Sequence, residues 1–447
     1  MKWLKRLAVL LLVLIIAVAV IPLFISLEDY RPEIEKKASA ALKTPVRIKG
    51  LKLVGLPLPH LTVTGIEIGK SGDIKVGTVI VTPDLGSLLA DTRVINSINI
   101  EDLALNQAGI DRIAALAQPG PAEKGGAPAV RVRAIRLTNA VVQLQKTGFG
   151  PFDARISLGE GGAPENAEVV TRDGKLKVTV KPAGKNFNLE LQAKNWRPPA
   201  GPPLLFDELT VKGVGTTVNA NLSDVRAKMY GGTVAGKTTI GWKKGLQLKG
   251  DYTVNGIELR DLVPLFSPET KLTGRLTAKP VFSANAPAAD QLKNALKLDT
   301  PFDIRDGVLD GIDIQKAATS LITKDSSGQT RFDTLSGHFA MERGTQRITN
   351  LKVASGSLAA DGNVTISPNK ALSGRINAQV KAGSIATASV PLNISGTVDN
   401  PRALPTGATV TGAAVGTAIL GPGVGTSVGA KIGGWADNLF GGGDKKK

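Results

Sequence analysis

The segment Gly231-Gly232-Thr233-Val234-Ala235-Gly236-Lys237-Thr238 satisfies the phosphate-loop pattern G-x-x-x-x-G-K-[ST]. That chemistry needs a strand, a loop whose amides face phosphate, and a following helix N-terminus. Here Thr239-Ile240-Gly241-Trp242 continues as strand, so the segment reads as a hairpin, with Lys237 on a solvated polar face. The acid pair Asp310/Asp313 lacks the regular oxygen-ligand spacing of a calcium loop, and aspartates in such turns bond local backbone. The two histidines offer no nucleophile–base pair: His60 sits in a turn between Pro59 and Leu61, and His338 in the polar register of Leu335-Gly337-Phe339. The absence of cysteine excludes thiolate catalysis, thiolate metal sites and a disulfide scaffold. No catalytic residue, cofactor site or metal site is assigned, and the chain is expected not to be an enzyme.

The elements that would position these residues are strands. From Thr44 onward the dominant pattern alternates apolar and polar residues, broken by Gly, Asn, Asp and Pro turns. Leu176-Val178-Val180, Phe187-Leu189-Leu191, Leu246-Leu248, Leu351-Val353, Val364-Ile366, Ile376-Ala378-Val380 and Leu392-Ile394 each line one face. Helices are predicted only as short pieces at Gln107–Ala117, Leu259–Leu265, Asp290–Leu296 and Ile314–Ile322, enough to close ends of a sheet but not to cover it. Weak repetition links Leu272–Ala278, Leu372–Ala378 and Ile394–Val398, as in a sheet extended by repeated strand–turn units.

With 447 residues, 42% of them hydrophobic, the chain is long enough for a core, yet aromatic residues make up only 4%. Packed sandwiches rely on large aromatic side chains, whereas one-faced alternation leaves an apolar strip open to a ligand. A closed sandwich or a β-solenoid without a cavity stays open as the alternative, because alternation does not reveal what lies opposite. The expected fold is mainly β: an elongated, curled, antiparallel-rich groove with an N-terminal transmembrane helix and a few short helices. Its groove candidates are Leu189, Leu191, Leu248, Val353, Val364, Ile376 and Val380.

The N-terminus sets location. Leu7 to Ile25 is 19 residues without a polar side chain, at about 1.5 Å rise per residue close to the ~30 Å of bilayer hydrocarbon. Lys2, Lys5 and Arg6 precede it while Glu28 and Asp29 follow, so the stub is expected to stay cytoplasmic and the body to be exported. Ala17-Val18-Ala19 would suit a cleaved signal peptide, but Val20 to Leu27 would leave a mature terminus strongly apolar. Residues 1–6 are therefore read as a stub and 7–27 as an anchor carrying Leu7, Leu14, Ile21 and Ile25. A helix follows over 28–43, capped by Asp29, with Pro32 in its first turn and the stripe Ile34, Ala38, Ala41 and Leu42 set to dock on the first strands.

Further boundaries follow composition. A β module is assigned to 44–118, a Pro/Gly/Ala-rich linker to 119–129 and the main repetitive sheet to 130–402, with Arg197–Pro203 as a stiff crossing loop inside it. The tail 403–447 places Gly412/Gly416 and Gly425/Gly429/Gly433 at four-residue spacing around Gly421-Pro422-Gly423, which suits either a short helical hairpin or a flexible tail. The net charge of +17 is dispersed, without an aromatic-interleaved basic patch, so nucleic acid is not an expected partner and anionic lipid headgroups are.

The chain resembles the AsmA family. The match lies in the anchor followed by Asp29-Tyr30-Arg31-Pro32-Glu33-Ile34-Glu35, Leu42 and Thr44-Pro45-Val46-Arg47-Ile48; in Met229–Gly236; in Ile304–Ile314; and in the closing Gly396-Thr397-Val398-Asp399-Asn400-Pro401. The resemblance implies a single-pass inner-membrane protein of a Gram-negative bacterium with its body in the periplasm, related to the bridge-like lipid transfer proteins. It implies a β-groove binding phospholipid acyl chains in outer-membrane biogenesis. The alternative is a structural or regulatory scaffold whose sheet edges pair with an envelope protein partner by strand addition. A reporter fused after Lys447 is expected to be active only outside the cytoplasm, with Met1–Leu27 retained in the mature protein. A new N-terminus at Val20 by terminal sequencing would remove the anchor while leaving export intact.

Overall fold

The computed structural model describes residues 27–406, except 56–57, 70, 88–89, 117–129, 145–146, 161, 200, 244, 289–290, 320–326, 383–384 and 387–388. The expected stub 1–6, the anchor residues Leu7, Leu14, Ile21 and Ile25, the linker 119–129 and the tail beyond Thr406 lie outside the described residues. Among the described residues no helix is long and apolar enough to cross a membrane. The fold is mainly β, and it divides into two compact units, Met1–Lys194 with Pro199–Gly201, and Asn195–Pro198 with Pro202–Lys447.

In the first unit, a 3-10 turn (Glu28–Tyr30) leads into α1 (Arg31–Leu42) and then β1 (Val46–Arg47), β2 (Gly50–Val54), β3 (His60–Ile68), β4 (Ile74–Pro83) and β5 (Arg93–Asn106). After α2 (Gln107–Leu116) come β6 (Val130–Val132), β7 (Ala134–Leu144), β8 (Thr147–Leu158), β9 (Pro164–Thr171), β10 (Leu176–Ala183) and β11 (Asn186–Trp196). β1 and β2 both pair with β3, and antiparallel pairing continues through β4 to β5. β5 then pairs in parallel with β6 and β7, and antiparallel pairing resumes from β7 to β11. A parallel pair needs a crossover connection, and α2 lies in the stretch of chain between β5 and β6. The strands flanking 119–129 thus share one ladder, and the compact units part instead at 194–202, where the sequence placed a loop within the main sheet. Alternation along β4, β5 and β7 buries Ile74, Val76, Leu103 and Ala140 together.

α1 docks differently from the expected apolar stripe. None of its residues is buried, Ile34 is exposed, and its N-cap is Tyr30 without a side-chain hydrogen bond. Its contacts are polar. Glu28 Oε1 accepts from Leu51 N at 3.1 Å, Glu35 Oε1 from Ile48 N at 2.6 Å and Ser39 Oγ from Val46 N at 2.9 Å. Arg31 Nη1 donates to Lys49 O at 3.1 Å. Spacings of three and four residues put these side chains on one helical face. They occupy backbone groups that an edge strand otherwise leaves unpaired.

The second unit is an antiparallel meander. Its first strands are β12 (Phe206–Gly215), β13 (Asn219–Met229), β14 (Gly232–Gly241) and β15 (Leu246–Glu258), followed by α3 (Leu259–Leu262) and a 3-10 turn (Val263–Leu265). β16 (Arg275–Ala278) and β17 (Val281–Ala286) both bridge β15 to β18 (Lys297–Asp310), with α4 (Leu292–Ala295) between β17 and β18. After α5 (Ile314–Thr319) come β19 (Gln329–Glu342), β20 (Thr345–Ala354), β21 (Leu358–Ile366), β22 (Leu372–Ala382), β23 (Ile385–Ala386), β24 (Val390–Thr397) and β25 (Asn400–Pro405). β18 to β22 pair in order, β22 pairs with both β23 and β24, and β24 pairs with β25.

Two devices shape this sheet. Register shifts between Leu222/Val225, Val254/Ile257, Ser336/His338 and Ile348/Leu351 insert bulges, which bend strands and increase twist. The aromatic rings are also set opposite glycines: Tyr252 pairs with Gly236, Phe282 with Gly250, Phe302 with Gly337 and Phe332 with Gly307. A Cβ on Gly250 or Gly307 would overlap the Phe282 or Phe332 ring, so these rings lie flat across the neighbouring strand. Tyr252 and Phe282 stack at 5.8 Å, and burial pushes the Tyr252 phenol up in pKa against the opposing hydrogen bond to Thr238.

α5 packs on β19, β22, β24 and β25, and its Ile314, Ala317 and Ala318 join a buried cluster with Ala378, Leu392 and Ala403. Gly307→Ala is expected to cost about 1–3 kcal/mol, since the methyl must displace both the Phe332 ring and the Thr273 carbonyl. Gly356→Ala, where nothing lies within 4 Å, is expected to change stability by less than ~0.5 kcal/mol. Urea unfolding of the two variants checks both values.

Candidate functional site

The residues with chemical potential resolve into structural roles. The phosphate-loop pattern is a hairpin: Met229 pairs with Gly232, and the turn residues Tyr230 and Gly231 have φ of 45° and 74°. Positive φ at both central positions is the requirement of a type I′ turn. Gly232 through Gly241 are paired within β14, and Lys237 is exposed, 3.9 Å from Asp251. Asp313 Oδ1 accepts from Lys316 N at 2.8 Å, capping α5. Thr330 Oγ1 donates to Ile312 O at 2.8 Å and accepts from Ile314 N at 3.1 Å, holding the start of the same helix on β19. His60 Nδ1 lies 2.7 Å from Leu58 O, and His338 Nε2 lies 3.0 Å from Asp299 Oδ2 on the adjacent strand. Among the described residues no group of three His, Cys, Asp or Glu is placed to hold a metal ion.

The site that does emerge is apolar. Inside the second unit a cavity of about 780 Å³ lies against β16, β18–β22 and β24. Cross-strand register builds its wall. One row runs Leu276, Ile304, Leu335, Val353, Ala360 and Ala378, each paired to the next. A second runs Phe339, Ile348, Val364, Gly374 and Ile394. The branched residues of these rows line the cavity, whereas Ala360 and Ala378, at the end of the first row, are buried in the cluster that includes α5.

The opposite boundary comes from short segments. Ile312 and Ile314 close the side toward α5, while Leu262, Val263 and Phe266 from the α3 segment lie across the face. Polar residues also line the cavity, among them Ser267, Glu269, Thr270, Lys271, Gln346 and Asp399, and Glu269 and Asp399 meet at Lys370. Lys370, at the β21–β22 turn, is 3.3 Å from Glu269 Oε1 and 3.7 Å from Asp399 Oδ2. The Glu269 carboxyl accepts from its own backbone N–H and from Lys370, which holds it below the usual carboxylate range.

Of the groove candidates, Val353, Val364 and Ile376 line this cavity together. Val380 is buried in the cluster that includes α5 and is not part of the wall. Leu248 is half-buried on β15, outside the cavity, and Leu189 and Leu191 are half-buried on β11 in the strands preceding the second unit. The residues that reading by alternation missed are those of the covering segment, Leu262, Val263 and Phe266. The sequence marks 259–265 as a short helix, and the step from strand to helical period was the available signal.

Lys237→Ala is expected to change stability by less than ~0.5 kcal/mol, because an exposed ion pair contributes little. Calorimetric titration with ATP is expected to show no binding to either form; binding abolished by the substitution would restore a nucleotide site.

Residues 1–111 match the family model described as the AsmA family. The matched stretch covers α1 and β1 to β5, and the cavity lies beyond it. No curated protein and no solved structure matches the chain.

Proposed function

Taking the chain as an AsmA family protein on the match of residues 1–111, we propose that it is a non-enzymatic periplasmic lipid-binding and lipid-transfer protein, held at the inner membrane and contributing to outer-membrane biogenesis. The observation that carries this reading is the cavity of about 780 Å³, walled by cross-strand aliphatic residues, with Glu269 and Asp399 of its lining meeting at Lys370. Its volume falls in the range of about 300–1,000 Å³ typical of sites for a single small ligand. Each methylene taken from water is worth about 0.8 kcal/mol, so an acyl chain supplies its own driving force without any directed hydrogen bond.

The distribution of polar groups favours an amphiphile over a wholly apolar ligand. Ser267, Glu269, Thr270, Lys271 and Gln346 let a headgroup stay hydrated while the chain lies along Val353, Val364 and Ile376. Binding through area alone is tolerant of chain identity, and release stays accessible, as transfer requires. The dispersed net charge of +17 adds attraction to an anionic membrane surface. The competing scaffold role, in which a sheet edge recruits an envelope protein, loses one candidate edge because α1 side chains already occupy the β1–β2 backbone.

Val364 is half-buried in the cavity wall, so Val364→Asp puts a carboxylate where a chain must lie while its head can still reach water. The expected outcome is a folded protein, by thermal unfolding, that no longer crosslinks to a photoactivatable phospholipid. Val380→Asp, buried away from the cavity, is expected to cost several kcal/mol and unfold the unit. Undiminished crosslinking in folded Val364→Asp protein would remove the cavity from the lipid path.

A further inference from the structure

The segment 259–272 is fastened at its two ends and almost nowhere between. Leu259 N donates to Gly274 O at 3.0 Å, and Asp310 N donates to Lys271 O at 3.0 Å, so the termini are stitched to β16 and β18. From 260 to 270 the hydrogen bonds are local: Phe266 N and Ser267 N to Val263 O, Thr270 N to Ser267 O, and Ser267 Oγ to Thr270 Oγ1. Among the described residues, the polar tie from this stretch to the frame is Glu269 to Lys370. Lys370 itself is fixed, because Lys370 N donates to Ser367 O at 2.9 Å and Val398 N donates to Lys370 O at 3.1 Å.

The packing is confined to two side chains, Leu262 and Val263, which are half-buried against the core cluster. Within α3 and the following 3-10 turn only Leu259, at the hinge, is buried. Leu262 and Val263 face the cavity, and Phe266 is 63% exposed. A segment with one fully buried residue, at its hinge, and an exposed ion pair as its tie opens more readily than the strands it crosses.

We propose that residues 260–270 are the gate of the cavity and that Lys370 is its latch, holding the strap through Glu269 while Asp399 keeps the lysine in place. This deepens the lipid-binding reading and rests on it. The cavity then works as an enclosed site loaded by one amphiphile at a time: the strap swings about 259 and 271, the chain enters over β20–β22, and the polar end stays beside Ser267, Glu269 and Lys271. Salt that screens the exposed pair favours the open form.

Because the chain has no cysteine, Glu269→Cys with Lys370→Cys makes the only reactive thiol pair, which a short reducible bis-maleimide can bridge. The probe is a pyrenyl phosphatidylcholine offered to the full chain in phosphatidylcholine vesicles, with uptake read as loss of excimer emission. Bridging is expected to slow uptake at least ~10-fold, and cleavage of the bridge with reductant to restore it. Lys370→Ala is expected to load roughly 2–5-fold faster, as loss of an exposed pair permits, and Lys370→Arg to load at the native rate. Equal uptake with and without the bridge would overturn the gate and leave lipid binding standing. No uptake by the native chain, with no lipid retained in its native mass spectrum, would overturn the lipid-binding reading and the gate with it.

Discussion

Cross-strand register in the second unit is the constraint on which the other features depend. Antiparallel pairing fixes which residue stands beside which, and here it sets large against small along the covered face: Val353 beside Ala360, Val364 beside Gly374, Phe302 beside Gly337. A slip of one residue would send each of these side chains to the opposite face. With the register in place, rings lie along the sheet and branched side chains stand beside gaps. The result is a continuous apolar wall with room above it, where a sandwich core would interdigitate two such walls.

The rest of the unit follows from what must be done with that wall. Over one part α5 lies close to the sheet because alanines occupy both surfaces, Ala317 and Ala318 on the helix and Ala378 and Ala403 below. Thr330 ties the helix start to β19 with two hydrogen bonds that also satisfy its own buried hydroxyl. Over the other part the cover is the thin α3 segment, and the cavity persists. One face therefore carries both a dry core and a ligand-sized space, and the difference lies in the covering pieces rather than in the strands.

Legibility in the sequence divides along the same line. Alternation identified the strands carrying Val353, Val364 and Ile376, and it put all three on one face, because a period of two is written directly into residue order. The hairpin at Tyr230-Gly231 was legible for a similar reason: the residues after Lys237 kept the strand pattern where a phosphate loop needs a helix. Separating Val380 from Val364 was beyond reach, since both alternate identically and only the position of α5 makes one core and the other wall. The docking of α1 was misread because hydrophobicity was sought at helical spacing, while Glu28, Arg31, Glu35 and Ser39 carried the contact at that same spacing in polar form. The linker over 119–129 looked like a boundary by composition, yet β5 and β7 pair beside each other, and pairing between distant segments leaves no mark in local composition.

The polar seam between α1 and the β1–β2 edge bears on how copies of such a chain coexist. An exposed strand edge is where one copy of a sheet protein can pair with another. At Val46, Ile48 and Leu51 the edge amides already donate to side chains of the same molecule, so a neighbour must first displace those side chains to pair there. The safeguard consists of three acceptor oxygens, two on α1 and one on the 3-10 turn before it, on elements that bury none of their residues.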